Sequence, residues 1–162
     1  VLYFRHDLEG FRSEAERAVA LAPNEAMLLG GVGAHLCYSG SWERGFEILE
    51  RAIALNPHHQ TWYHIPYFYD AYRQGHDKDS LAAARRMNMP GFFWKQLMLA
   101  AAYGQLDMAS EATGAVATLR ELYPGYTIQM MIEFHTMWNF EDDVIARMAD
   151  GLRKAGLPEN AD

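Results

Sequence analysis

Four prolines, Pro23, Pro57, Pro90 and Pro124, follow one another at intervals of 34, 33 and 34 residues. The blocks that end at them resemble one another as two helices and a turn. A period of this length marks a unit that cannot bury its apolar face alone and stacks on a copy of itself. The chain is therefore expected to be all-α: an α-solenoid of antiparallel helix pairs, an architecture whose business is usually binding.

The block 24–57 is the clearest. Leu29, Val32 and Leu36 recur at helical spacing on one face, with small Gly33 beside them where a second helix can come close. Gly40 ends this first helix. After Ser41 and Trp42 a second one runs through Phe46, Leu49, Ala52, Ile53 and Leu55 until Asn56 and Pro57 stop it. Two helices joined by so short a turn pack antiparallel.

On these residues, Gly33, Gly40, Ala52 and Pro57, the block resembles a tetratricopeptide repeat. Leu99, Ala100, Tyr103, Ala112 and Pro124 carry the same pattern in block 91–124, and Ala18, Leu21 and Pro23 show its second half in 1–23. Block 58–90 departs from it: Phe68 or Pro66 falls where a small residue is expected, and Met87 replaces the late alanine. A shifted helix crossing is predicted there, where the step between prolines shortens to 33, and the segment from Trp62 to Trp94 is the first place to seek a partner. The resemblance implies a right-handed superhelix of about four repeats plus a C-terminal capping helix. Its parts are a partial repeat at 1–23, repeats at 24–57, 58–90 and 91–124, a terminal helix pair at 125–157 and a tail at 158–162.

Composition fits one domain spanning 1–162: half of the 162 residues are apolar and 22% are charged. The least polar stretch, Phe92 to Tyr103, is too short to cross a bilayer and contains Lys95 and Gln96, so no membrane role is expected. The single cysteine, Cys37, cannot form an internal disulfide, which points to a reducing, cytoplasmic setting. A formal charge of −7 argues against nucleic acid. The basic pairs Arg85–Arg86 and Arg153–Lys154 lie near predicted helix C-termini, where the helix dipole favours them.

The two ends read differently. Val1 to Phe4 reads as the last turn of a helix that would complete the first repeat, so the chain looks like a fragment whose exposed N-terminal face packs on upstream sequence or on another copy. At the other end Asn139 is expected to cap a helix with Glu141, Asp142 and Asp143 in its first turn, Val144, Ile145, Met148 and Leu152 on one face, and Gly156 and Pro158 beyond its end. Such a helix closes the core of an array against water.

A narrower resemblance rests on Asn56-Pro57-His58-His59, Trp62-Tyr63-His64, Asn88-Met89-Pro90-Gly91-Phe92-Phe93-Trp94, Ala101-Ala102-Tyr103-Gly104-Gln105-Leu106 and the tail Asp150 to Leu157. These segments are similar to the C-terminal repeat region of bacterial class III adenylate or guanylate cyclases and of winged-helix regulators that share it. The resemblance implies a role in signal transduction. It carries over no catalytic residue, since a cyclase's metal-binding and nucleotide-binding groups belong to a different domain.

Self-contained chemistry finds little support. Gly30-Gly31-Val32-Gly33 lacks the strand and the Gly-Lys-Ser/Thr of a phosphate loop, and reads instead as close helix packing. His58, His59 and His64 form a cluster whose five-residue step fits metal ligation poorly, and Asp70 lies off-face. Cys37 and His35 point to different sides of a helix, leaving no nucleophile, base and orienting group together. No cofactor, metal or enzymatic activity is expected.

A protein or peptide partner is the better expectation. The first helix of each pair should line the concave side and present Tyr38, Trp62, Tyr69, Tyr72, Arg73, Trp94, Met98 and Gln105 to a groove, since aromatics with a polar handle suit such recognition. Each has a second reading as core, because large aromatics are highly buried on average. The chain thus reads as a non-catalytic interaction module; the alternative is a homodimerisation module coupling upstream catalytic or DNA-binding domains.

Overall fold

The computed structural model describes residues 1–160, and among them it is all-helical. A 3₁₀ turn at Tyr3–Arg5 precedes nine helices: α1 (Leu8–Leu21), α2 (Ala26–Tyr38), α3 (Trp42–Leu55), α4 (His64–Arg73), α5 (Asp77–Arg86), α6 (Phe93–Gln105), α7 (Ala109–Leu122), α8 (Ile128–Met137) and α9 (Asp142–Lys154). A second 3₁₀ turn, Thr61–Tyr63, leads into α4.

Proline sets the punctuation. Helices α1, α3 and α7 stop just short of Pro23, Pro57 and Pro124, because the residue before proline is pushed out of the helical region, while α5 stops at Arg86, four residues before Pro90. Pro158 lies beyond α9, whose end is turned by Gly156 (φ 85°), and extends the period by a further step of 34. Between the two helices of each pair a residue takes the left-handed conformation that turns the chain: Gly40 (φ 81°), Gly75 (φ 76°), Asp107 (φ 55°) and Asn139 (φ 57°). Asn139 is therefore not the N-cap of the last helix. It ends α8, its side-chain amide donates to the carbonyl of Tyr3 at 2.8 Å, and Glu141 holds the cap position.

The pairs are held at different distances. In α2–α3 the backbones nearly touch: a Cβ on Gly33 would lie 2.7 Å from the carbonyl oxygen of Gly45, and a Cβ on Gly45 equally close to that of Gly33. Gly33 thus serves close packing and Gly30 makes room for the Tyr63 ring, whereas a Cβ on Gly31 would meet nothing within 4 Å. The pair α4–α5 is shorter, ten residues in each helix, with Pro66 in the first turn of α4, where its missing N–H costs nothing. Helix α4 docks on α2, and α5 leads to α6.

Helix α9 lies along α6 and reaches α4. The reason is its sequence. Val144, Ile145, Met148 and Leu152 are buried on one face, each such side chain worth about 1.5–3 kcal/mol. Gly151 lets that face come down onto α6, since a Cβ there would sit 2.6 Å from the carbonyl oxygen of Ala101. The result is one large core spanning α2 to α9, with a smaller cluster of Ala15, Val19, Leu29, Leu36, Ile48 and Leu49 joining α1 to α2 and α3.

Candidate functional site

The first helices of three pairs, α2, α4 and α6, present their aromatic side chains to a common inner face. Tyr38 of α2, Tyr69 of α4 and Trp94 of α6 meet there, with ring centroids 6.0–6.2 Å apart. All three are buried, as are Tyr72 and Met98. What covers them is the α8–α9 pair. Phe140, in the turn between those helices, stacks on Tyr38 at 4.8 Å and lies 4.4 Å from Tyr69. Burial pushes the Tyr38 and Tyr69 hydroxyls well above their ordinary pKa, so both stay protonated.

Most polar atoms on this face are paired with one another; the buried Trp138 Nε1 has no partner among the described residues. The Trp94 indole N–H donates to the Tyr69 oxygen at 2.5 Å, and the Tyr69 hydroxyl donates to His135 Nε2 at 2.6 Å. His135 Nδ1 faces only the Met131 carbonyl, at 2.9 Å, so it carries the ring proton. Burial lowers the His135 pKa to about 4, and the imidazole is neutral. Farther along, the Tyr72 hydroxyl donates to the Arg147 carbonyl at 3.0 Å, while Gln105 donates to Asp150 at 3.0 Å and accepts from Lys154 at 3.0 Å. Lys154 first, then Gln105, hold the Asp150 carboxyl below its ordinary pKa.

Six of the eight residues expected to line a groove are therefore engaged within the chain. Tyr38, Tyr69, Trp94 and Met98 lie in the core, and Tyr72 and Gln105 tie α4 and α6 to α9. The other two stand apart. Arg73 pairs with Asp70 at 2.7 Å and lays its guanidinium over the Trp42 ring at 4.5 Å. Trp62 packs on Tyr63 at 4.3 Å beside the smaller cluster. The inner face takes its occupants from His135, Trp138 and Phe140, which sequence reasoning missed. The sequence marks 125–157 as a terminal helix pair but carries no sign that this pair covers the inner face.

The residues weighed for chemistry are not brought together as a reacting group. Cys37 is buried and its thiol is pushed up to about 12, so it stays protonated. His35 turns its Nδ1 to the Gly31 carbonyl at 2.7 Å, and burial lowers its pKa. His59 and His64 come within 5.8 Å, ring to ring, but no three metal-ligating side chains gather among the described residues.

What stays open is the N-terminal end. Val1, Phe4, Leu21 and Met27 are 88%, 49%, 80% and 57% exposed. Val1 and Phe4, with Phe11 of α1 and Gly31 and Val32 of α2, line a mostly apolar slot of about 380 Å³, and Met27 stands one turn of α2 before Gly31. Comparison with known proteins adds no identity: no family model, no curated protein and no solved structure matches this chain. Among the described residues no helix is long and apolar enough to cross a membrane.

Proposed function

We propose that the chain is a non-catalytic protein–protein interaction module built from tetratricopeptide-like helix pairs, and that it binds its partner through the N-terminal slot. The observation that carries this reading is the contrast between two surfaces. The inner face, where such arrays commonly hold peptides, is filled by α8 and α9. The slot between α1 and α2 leaves large apolar side chains in water, each worth about 1.5–3 kcal/mol if covered. A helix laid between α1 and α2 would cover them as the second helix of each pair covers the first.

The resemblance to the repeat region of bacterial cyclases and winged-helix regulators supports a regulatory setting. There the module would transmit the state of its partner to a catalytic or DNA-binding domain. The alternative occupant is a second copy of the chain, making the slot a dimer interface, and the same exposed residues favour it.

A photo-crosslinking residue at Met27, compared with one at exposed Ala117, separates these readings in the cells that make the protein. A discrete adduct with another protein, formed from Met27 alone and lost in a Phe4→Ser variant, supports the module. An adduct with itself, matched by concentration-dependent light scattering, supports the dimer. Equal labelling from both positions, or none from Met27, overturns docking at this slot.

A further inference from the structure

Block 58–90, where the repeat pattern is irregular, leaves a second opening. Helix α4 docks on α2, and α3 stands off from α4 and α5, so a cleft of about 500 Å³ runs between them with Ile53 on one wall and Ala82 and Ala83 on the other. The volume lies within the range of sites that hold small molecules or short peptide segments.

The cleft is electrically polarised along its length. Because α4 and α5 are antiparallel, the first turn of α4 lies beside the last turn of α5, and the last turn of α4 beside the first turn of α5. His59, His64 and Arg86 therefore gather at one end, with His59 and His64 5.8 Å apart, while Asp70 and Asp79 gather at the other. Tyr67, 6.3 Å from His64, lies between. Asp79 and Arg86 stand seven residues apart on α5, which separates the two ends by about 10 Å. Asp70 is engaged by Arg73 at 2.7 Å and by Gln74 at 2.9 Å, whereas Asp79 and Arg86 join none of the ion pairs within the described residues.

We propose that this cleft binds an extended peptide segment of about four residues that carries a carboxylate at one end, held by Arg86 and His64, and a cation at the other, held by Asp79. In the polyproline II form an extended chain advances about 3.1 Å per residue with three residues per turn, so side chains at positions i and i+3 share one face and span about the 10 Å between the charged ends. The apolar walls take the residues between. Burial, and then the neighbouring His59 and Arg86, lower the pKa of His64, and an arriving carboxylate relieves that crowding of positive groups. Complementary charge at both ends fixes the occupant's direction as well as its identity. The site is separate from the N-terminal slot, and either can fail without the other.

The blocked peptide acetyl-Lys-Ala-Ala-Glu-amide tests this on the full chain, read by chemical-shift perturbation at low salt and compared with acetyl-Gln-Ala-Ala-Gln-amide. Saturable shifts of residues around Tyr67 and Ala82 are expected for the charged peptide only. Arg86→Gln and Asp79→Asn should each weaken binding at least tenfold, and Ala82→Trp, which fills the cleft without altering a charge, should abolish it. All three positions touch solvent, so the variants retain the fold and its helical spectrum. Equal binding of the two peptides, unchanged affinity in the variants, or no saturable shift would overturn the proposal.

Discussion

Gly104 and Gly151 face each other across α6 and α9 with no side chain between them: a Cβ on Gly104 would lie 2.9 Å from the carbonyl carbon of Gly151, and closer still to its oxygen. The atom in the way is backbone, so the only relief is to move the helices apart. Gly104→Ala should therefore lower stability by about 1–3 kcal/mol, the usual cost of overpacking, against a gain in helix propensity of less than 1 kcal/mol. Gly114, exposed on α7 with nothing within 4 Å of a Cβ, is the control; Gly114→Ala should stabilise by about 0.5–1 kcal/mol. Urea unfolding of both variants checks the pair, and similar shifts in the midpoint would contradict it.

The acid limb of stability should belong to His135. Its folded pKa of about 4 lies below its ordinary 6.5, so between those values the unfolded chain binds a proton that the folded chain refuses. Stability should be level above about pH 6.5, fall as pH drops toward 4, and level again below that, by on the order of 3 kcal/mol. His35 and His64, also lowered, act with the same sign. Carboxylates such as Asp150 lose their contribution only at lower pH, below the ordinary carboxylate value of 3.8. His135→Gln should flatten most of the slope between pH 4 and 6.5 in chemical-unfolding titrations, whatever it does to stability at neutral pH.

Tyr69 is the hinge of the buried hydrogen-bond chain. Tyr69→Phe keeps the ring and deletes the oxygen, leaving the Trp94 N–H without an acceptor and His135 Nε2 without a donor, both in the core. A loss of about 2–4 kcal/mol follows from two orphaned groups. A double cycle with His135→Phe should show non-additivity, since that change removes one orphan together with its partner.

The N-terminal turn clasps the α8–α9 turn. Tyr3 donates to the Trp138 carbonyl, Asn139 donates back to the Tyr3 carbonyl at 2.8 Å, and Phe4 lies 5.4 Å from the Trp138 ring. Deleting residues 1–6 should bare Trp138, shifting tryptophan emission to the red, and should cost about 1.5–3 kcal/mol for the Tyr3 ring alone. Unchanged emission would mean that the clasp contributes nothing to burial there.

The helix pairs were legible because proline and glycine act locally: Pro57 stops α3 and Gly40 turns α2 whatever surrounds them. The closed inner face was not, because it depends on where α9 lies. Two features fit it only in retrospect. Pro158 continues the proline period, and Gly151 sits on the apolar side of α9, where a free-standing helix would have no use for it. Tyr38, Tyr69 and Trp94 could not be sorted between groove and core from spacing, since both place them on the same helix face. Asn139 was misread for a related reason: asparagine serves both as an N-cap and in the left-handed turn, and its bond to the distant Tyr3 carbonyl accompanies the second use here.

Helix α9 also sets the order in which this chain can mature on the ribosome. A stack of helix pairs that touch only their neighbours can settle pair by pair as it emerges. Here α4 and α6 receive their covering layer from residues made some forty to seventy-five positions later, as with Tyr72 and Arg147, 75 positions apart. Until Phe140 and α9 have cleared the exit tunnel, Tyr38, Tyr69 and Trp94 lack that cover, and apolar surface exposed in this way raises the risk of aggregation.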